Sequence, residues 1–119
     1  MKLKTHKIIY VDVDGTICEN RDDLLEKHPD ATYADVAPFY DRIRMVNELF
    51  DEGHKIHYWT ARGVHSGEDF TELTKTQFLK WGVKYTELHV GGKPHFDMYI
   101  CDKSYNAASF FHRIHRQLP

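Results

Sequence analysis

The chain has 119 residues, of which 41% are hydrophobic and 29% charged, and its formal net charge is −2. This composition predicts one globular domain, residues 1–119, and does not favour broad nucleic-acid or membrane-surface binding. No apolar run approaches the roughly 20 residues of a membrane-spanning helix. The basic start lacks a signal-peptide cleavage site, and the only cysteines, Cys18 and Cys101, make no disulfide framework. We therefore expect a cytoplasmic protein that has no contact with a membrane.

The first predicted element is a β-strand in the apolar run that begins at Lys7 and ends in two carboxylates and a glycine, Asp12, Asp14 and Gly15. A nearly continuous apolar run is typical of a strand that is buried on both faces. Because side chains two residues apart lie on the same side of a strand, the two acids can converge at its carboxyl end. An ordinary Asp-Gly turn explains these residues equally well when the run is taken alone.

The segment 17–40 has no strong periodicity, and the rest of the chain alternates between helical and strand patterns. The predicted elements are a helix over 41–52, a strand over 54–59, a helix over 66–81, a strand within 83–90, a strand over 98–101 and a helix that begins at Ser104. Such alternation predicts an α/β fold, a Rossmann-like three-layer α/β/α sandwich with a central parallel sheet.

Right-handed crossovers place the carboxyl ends of all parallel strands at one edge of the sheet. The residues expected at this edge are Asp12, Asp14, Thr60, Lys93 and Asp102. Three neighbouring acids repel one another, and a hard divalent cation relieves that repulsion. Oxygen ligands in small number suit Mg²⁺, so we expect a magnesium site that uses Asp12, Asp102 and the backbone carbonyl of Asp14.

The same groups suit phosphoryl transfer. Asp12 would attack phosphorus, and Asp14 would give a proton to the leaving oxygen. Thr60 would hold a phosphoryl oxygen, and Lys93 would offset the negative charge. We expect four further residues around the bound substrate: Gly15, Thr16, Ala61 and Arg62.

The run Asp12-Val13-Asp14-Gly15-Thr16 resembles the first motif of the haloacid dehalogenase (HAD) superfamily, most of whose members are phosphatases. Thr60 resembles its second motif, Lys93 its third and Asp102 its fourth, in the family's order. The segments 58–63, 92–94 and 99–103 resemble a short subgroup linked to capsule and surface-polysaccharide biosynthesis. That subgroup usually has two acids at the fourth motif, whereas here Cys101 holds the first place; Asp97 is a more distant candidate for that acid.

The resemblance implies a HAD-like hydrolase that acts through an aspartyl-phosphate, and the short insertions leave no room for a cap domain. We expect an open site that is covered by a second subunit or used by a large substrate, with residues 17–40 as a small lid and Arg21 as an anion contact.

The leading interpretation is a Mg²⁺-dependent phosphatase of a small phosphorylated metabolite such as a sugar phosphate. The alternatives are a nucleic-acid 3′-phosphatase, a module that carries phospho-aspartate as a signal, and a degenerate binding protein.

Overall fold

A three-stranded parallel sheet organises the protein. The computed structural model describes residues 5–94 and 96–113. The strands are β1 (Ile8–Asp12), β2 (Lys55–Thr60) and β3 (Glu87–Val90), and the helices are α1 (Arg21–Leu25), α2 (Tyr40–Asp51), α3 (Thr71–Trp81) and α4 (Ala107–Arg113), with a 3₁₀ turn at Tyr33–Asp35. The strands lie side by side in the order β1-β2-β3. The parallel sheet that the alternation predicted is therefore present.

Helices α2 and α3 connect neighbouring strands and cover one face of the sheet. Ile43, Val46 and Leu49 follow one stripe of α2 and are buried, as their spacing predicted. On the same face, the ring of Tyr58 in β2 packs edge-on against Phe78 of α3, with 5.0 Å between the ring centroids. The hydrophobic core lies between this face and the two helices.

The opposite face of the sheet is open to solvent. Ile8 is 64% exposed and Tyr10 57% exposed, although both belong to the apolar run. The prediction that β1 is buried on both faces is therefore wrong, because hydrophobicity alone does not say which of two apolar faces is covered. The described residues form two layers, helices on a sheet, and the predicted third layer does not occur among them.

The predicted fourth strand is also wrong. Residues 98–101 are irregular in the structure, and Met98 and Ile100 are 76% and 89% exposed. A strand needs a backbone partner, and this short apolar segment has not paired with the sheet. Within the residues that the structure describes, no fourth strand pairs with the free edge of β1.

Two helix starts were predicted too early. Helix α3 begins at Thr71 rather than Ser66, and the Asp69 carboxylate accepts the Thr71 N–H at 2.9 Å. Helix α4 begins at Ala107, where the side chain of Asn106 rather than that of Ser104 accepts the Ala108 N–H at 3.1 Å. Asn106 is thus the polar cap of α4. At α3 the residue before the helix is Phe70, whose side chain makes no capping hydrogen bond, and Asp69 one residue earlier accepts the first helical N–H instead. The helical pattern of the last helix also predicts core positions at Ile114 and Leu118, and these lie outside the described residues.

Among the helices in the described part of the chain, none has the length and apolar character needed to cross a membrane.

Candidate functional site

Asp12 lies at the carboxyl end of β1 and forms an ion pair with Lys93. Its Oδ1 is 2.8 Å from Lys93 Nζ, and its Oδ2 accepts a hydrogen bond from the Thr16 hydroxyl at 3.2 Å. The Asp12 side chain is 40% exposed, whereas that of Lys93 is mostly covered. Lys93 Nζ also lies 5.5 Å from the ring centroid of Trp59, so an aromatic ring contributes to holding the cation. Asp12 is therefore an oriented carboxylate that solvent can reach.

Asp14 forms a different ion pair, with Arg62, that is almost closed to solvent. Arg62 Nη2 donates to Asp14 Oδ1 at 2.9 Å, and Nε donates to Oδ2 at 3.0 Å. The remaining terminal nitrogen, Nη1, donates to Thr74 Oγ1 at 3.1 Å and to Gln77 Oε1 at 2.6 Å, both on α3. Arg62 itself is 1% exposed. The bidentate geometry fixes both Asp14 oxygens on the helix side of the site.

The turn after β1 separates the two acids. Gly15 has φ of 82°, a left-handed conformation that a glycine adopts without strain. Thr16 and Ile17 both donate their N–H groups to the Val13 carbonyl, at 3.1 and 3.0 Å. The chain therefore curls tightly at this point, and Asp12 and Asp14 are engaged with different cations. The sequence predicted that the two acids converge at this edge; in the structure each of them forms its own ion pair.

Arg62 was expected to contact the substrate, and the structure corrects this. A side chain that is fully buried and hydrogen-bonded at all three nitrogens has no group left to offer to a ligand. Its guanidinium carbon also lies 4.8 Å from the ring centroid of Tyr33, which packs over it. Arg62 therefore positions Asp14 and connects it to helix α3.

Thr60 and Ala61 occupy the end of β2. Thr60 is 1% exposed, and its hydroxyl accepts the backbone N–H of Arg62 at 3.2 Å. Its carbonyl accepts the N–H of Gly91 at 3.0 Å, which connects the ends of β2 and β3. The hydroxyl expected to hold a phosphoryl oxygen is thus covered and engaged within its own turn. Ala61 is half-buried beside it.

The segment 17–40, predicted to be a small lid, is closed at its base and anchored on α3. Glu19 N–H donates to the Ala37 carbonyl at 2.9 Å, and Phe39 N–H donates to the Ile17 carbonyl at 2.8 Å. Gln77 Nε2 donates to the carbonyl of Tyr33 at 2.6 Å. These bonds keep the segment next to the buried ion pair.

Arg21 lies on the outer side of that segment. Its guanidinium carbon is 4.6 Å from the centroid of the Tyr33 ring, so Tyr33 contacts both Arg21 and Arg62. Burial raises the pKa of Tyr33, an effect that Arg21 partly opposes. Arg21 also lies 3.4 Å from an Asp22 oxygen on the surface. Its predicted contact with a substrate anion stays a prediction.

Cys18 lies inside the buried cluster, with its sulfur 3.5 Å from Asp14 Oδ1. Burial, and after it the Asp14 charge, raises the pKa of this thiol well above its usual range. A thiol of this kind stays protonated and is a poor nucleophile. The geometry therefore gives Cys18 a packing role.

Asp102 lies on the exposed irregular segment after residue 101. Within the described residues it does not form a three-ligand cluster with Asp12 and Asp14. Beside it, Cys101 accepts the Lys103 N–H at 3.3 Å, and this hydrogen bond lowers the pKa of the Cys101 thiol. Among the described residues, the three carboxylates therefore do not meet at one point. The predicted magnesium site, which uses Asp12, Asp102 and the backbone carbonyl of Asp14, stays a prediction. Asp97, the alternative acid, is exposed on the loop before that segment.

Several partners of Arg62 were missed by reasoning from sequence. The helical pattern over 66–81 places Thr74 and Gln77 on the amphipathic stripe of α3 and indicates no more than that, and nothing in the sequence around Tyr33 points to a role. One signal was available: two polar residues three apart on a stripe that faces the core require polar partners. The sequence does not say which residue supplies them.

Comparison with known proteins supports the fold alone. No family model matches the chain, and no curated protein matches it. A crystal structure of a target protein from Vibrio cholerae is similar, with a TM-score of 0.71 and 24% sequence identity over 94% of this chain and 95% of that one. The chain is therefore a small α/β domain with a parallel sheet, consistent with a Rossmann-like fold.

Proposed function

We propose that this chain is a Mg²⁺-dependent phosphomonoesterase of the haloacid dehalogenase type, acting on a small phosphorylated metabolite such as a sugar phosphate. One observation carries the proposal: Asp12, a solvent-accessible carboxylate at the carboxyl end of a parallel strand, lies 2.8 Å from the ammonium of Lys93. Ligands of open α/β sheets bind at this edge. The resemblance of residues 12–16 to the first HAD motif supports the same reaction.

In this reaction, an Asp12 oxygen attacks phosphorus and the bond to the leaving oxygen breaks, with a proton ending on the leaving group. Water then attacks the aspartyl-phosphate, the bond between phosphorus and Asp12 breaks, and inorganic phosphate leaves. Lys93 offsets the charge of the phosphoryl group, and the Thr16 hydroxyl orients Asp12. Asp14 is the proposed proton carrier, acting after it releases a hydrogen bond from Arg62 or through an intervening water.

Mg²⁺ is part of the proposal because it commonly binds through one or two carboxylates together with substrate phosphates and water. The arrangement of donors suits a site in which Asp12 supplies the carboxylate. Asp102 and the Asp14 carbonyl stay predicted ligands. When bound, Mg²⁺ would offset the charge of the phosphate.

A second candidate function, a module that carries phospho-aspartate as a signal, is favoured by the ion pair of Asp14. Both Asp14 oxygens accept from Arg62. An acid held in this way is less available to assist the water that hydrolyses phospho-Asp12. In that case the phosphorylated state of Asp12 persists instead of turning over.

The test is release of inorganic phosphate from a panel of sugar phosphates, nucleotides and 3′-phosphorylated oligonucleotides, with Mg²⁺ or with a chelator. We expect Mg²⁺-dependent turnover of a small phosphate ester that Asp12→Asn lowers at least about a thousandfold. Asp51→Asn is the matched control, since Asp51 lies at the far end of α2 in a surface pair with Lys84. Turnover confined to oligonucleotides would select the nucleic-acid alternative. No turnover by the folded protein would contradict the phosphatase proposal.

Two expectations about assembly and location accompany this proposal. We expect a second copy of the chain to cover the exposed Asp12. Sedimentation of the purified protein would detect such a dimer. The cytoplasmic location stays a prediction from the cysteine content.

A further inference from the structure

Three metal-ligating side chains converge on the open face of the sheet, away from the helices. His57 in β2 lies directly opposite Glu87 in β3, and His89 follows two residues later on the same face. His57 Nδ1 lies 3.2 Å from His89 Nε2 and 3.3 Å from Glu87 Oε2, and His89 Nε2 lies 3.2 Å from the same Glu87 oxygen. The three atoms form a nearly equilateral triangle.

The edges of this triangle fit a tetrahedral metal ion. Two ligand atoms that each lie 2.0–2.1 Å from a tetrahedral Zn²⁺ are about 3.3 Å apart. An ion at that distance from all three atoms would lie about 0.8 Å out of their plane, with the fourth position facing away from the triangle. Two imidazoles and one carboxylate are a ligand set that Zn²⁺ uses when one position stays open.

Hydrogen bonds among the three side chains cannot give all three of these atoms a favourable partner at once. If both ring nitrogens carry a proton, both N–H groups can approach Glu87, but they also face each other across the 3.2 Å contact between the rings. If one nitrogen lacks its proton, its lone pair faces the carboxylate. A cation in the centre interacts favourably with all three atoms.

The rings are also held in place. Tyr10 of β1 packs over both imidazoles, with centroid distances of 4.9 Å to His57 and 5.9 Å to His89. His57 is mostly covered, while Glu87 and His89 are more exposed. An ion can therefore enter from solvent and meet ligands whose ring orientation is already set.

We propose that His57, Glu87 and His89 form a binding site for one first-row transition metal ion, with Zn²⁺ as the reference ion. Imidazole nitrogens favour such ions over Mg²⁺, which prefers oxygen. The site is separate from Asp12. In the sheet, Asp12 lies beside Trp59 and Trp59 beside His89, so the backbones of Asp12 and His89 are two strand spacings, about 10 Å, apart. The inference does not depend on the phosphatase proposal.

The experiment is a calorimetric titration of the full chain, without a histidine tag and stripped by a chelator, with Zn²⁺ in excess Mg²⁺. We expect one ion per chain. His89→Ala and Glu87→Gln should each weaken binding more than about tenfold, since even the outer-shell partners of metal ligands are worth ~10–100-fold. His28→Ala, which changes an exposed histidine in a loop, is the matched control and should bind as the native chain does.

A second readout uses Co²⁺ in place of Zn²⁺. The visible absorption bands of bound Co²⁺ should appear in the native chain and in Asp12→Asn, and disappear in His57→Ala, with circular dichroism showing that each variant is folded. The proposal is overturned if the native chain binds no ion. It is also overturned if binding survives both histidine changes, or is lost in Asp12→Asn but not in His89→Ala.

Discussion

Asp12 and Asp14 are two residues apart, yet their ion pairs differ in nearly every physical respect. The Asp12–Lys93 pair has a single 2.8 Å contact and an acid that is open to solvent. The Asp14–Arg62 pair is bidentate, and its cation is buried against α3. The first pair therefore leaves a carboxylate within reach of solvent, whereas the second holds Asp14 against α3 through Arg62.

The largest expected difference between the pairs is in stability. Arg62→Met leaves Asp14 without its cation in a mostly covered position and should lower the free energy of unfolding by about 3–5 kcal/mol. Lys93→Met leaves Asp12 in contact with water and should cost less than about 1 kcal/mol. Urea denaturation of both variants measures this.

The control for that comparison is the double variant Asp14→Asn with Arg62→Met. It removes both charges, so it should recover part of the loss caused by Arg62→Met alone. Equal stability of Arg62→Met and Lys93→Met would show that the two pairs do not differ as described.

Activity should depend on the Asp12–Lys93 pair, which contributes little to stability. Lys93→Met should lower kcat/KM by about 10²–10³-fold, because an oriented cation at the transferring phosphoryl group is lost. Lys84→Met is the matched control, since Lys84 makes an ion pair of the same 2.8 Å length with Asp51 on the surface. Steady-state kinetics on the best substrate of the panel provide the measurement. If both lysine variants keep native activity, Lys93 has no part in the reaction.

Reaction with an alkylating reagent should distinguish the two cysteines. The pKa of Cys101 is lowered, so its reactive thiolate is present at lower pH than that of an ordinary cysteine. The pKa of Cys18 is raised by burial, so its thiol stays protonated at the same pH. Peptide mass spectrometry at neutral pH should find Cys101 labelled and Cys18 unlabelled. Labelling of Cys18 in the folded protein at the rate of Cys101 would contradict the closed environment of the Asp14–Arg62 pair.

The smallest expected effect concerns a buried polar group that lacks a partner. The Tyr58 hydroxyl is buried and has no hydrogen-bond partner among the described residues, whereas every nitrogen of the Arg62 side chain, which is also buried, is hydrogen-bonded. Tyr58→Phe should therefore raise the free energy of unfolding by roughly 1 kcal/mol. Urea denaturation would refute this if the variant proved less stable than the native chain.

The three strands and the helices between them were predictable from local patterns, but the layering of the fold was not. The spacing of Ile43, Val46 and Leu49 predicted α2, and Gly82, with φ of 72°, ends α3 as expected. The prediction of a fourth strand was wrong because a strand needs a partner from a distant part of the chain, and a four-residue pattern carries no information about that partner.

The candidate site was predictable only in part. The rule that right-handed crossovers bring the carboxyl ends of parallel strands to one edge predicted that Lys93 and Asp12 meet there, and the two form an ion pair. Which cation each acid takes depends on the Gly15 turn and on Gln77 and Thr74 of α3, and side-chain partners of that kind are set by tertiary packing.

The role of Asp12 as the phosphorylated residue is tested by the intact mass of the chain after rapid acid quenching in the presence of Mg²⁺ and a turnover substrate. We expect a population heavier by one phosphoryl group, located on the peptide that contains Asp12 and absent in Asp12→Asn. Substrate turnover with no such population at any quench time, or phosphorylation located on another residue, would contradict the proposed role of Asp12.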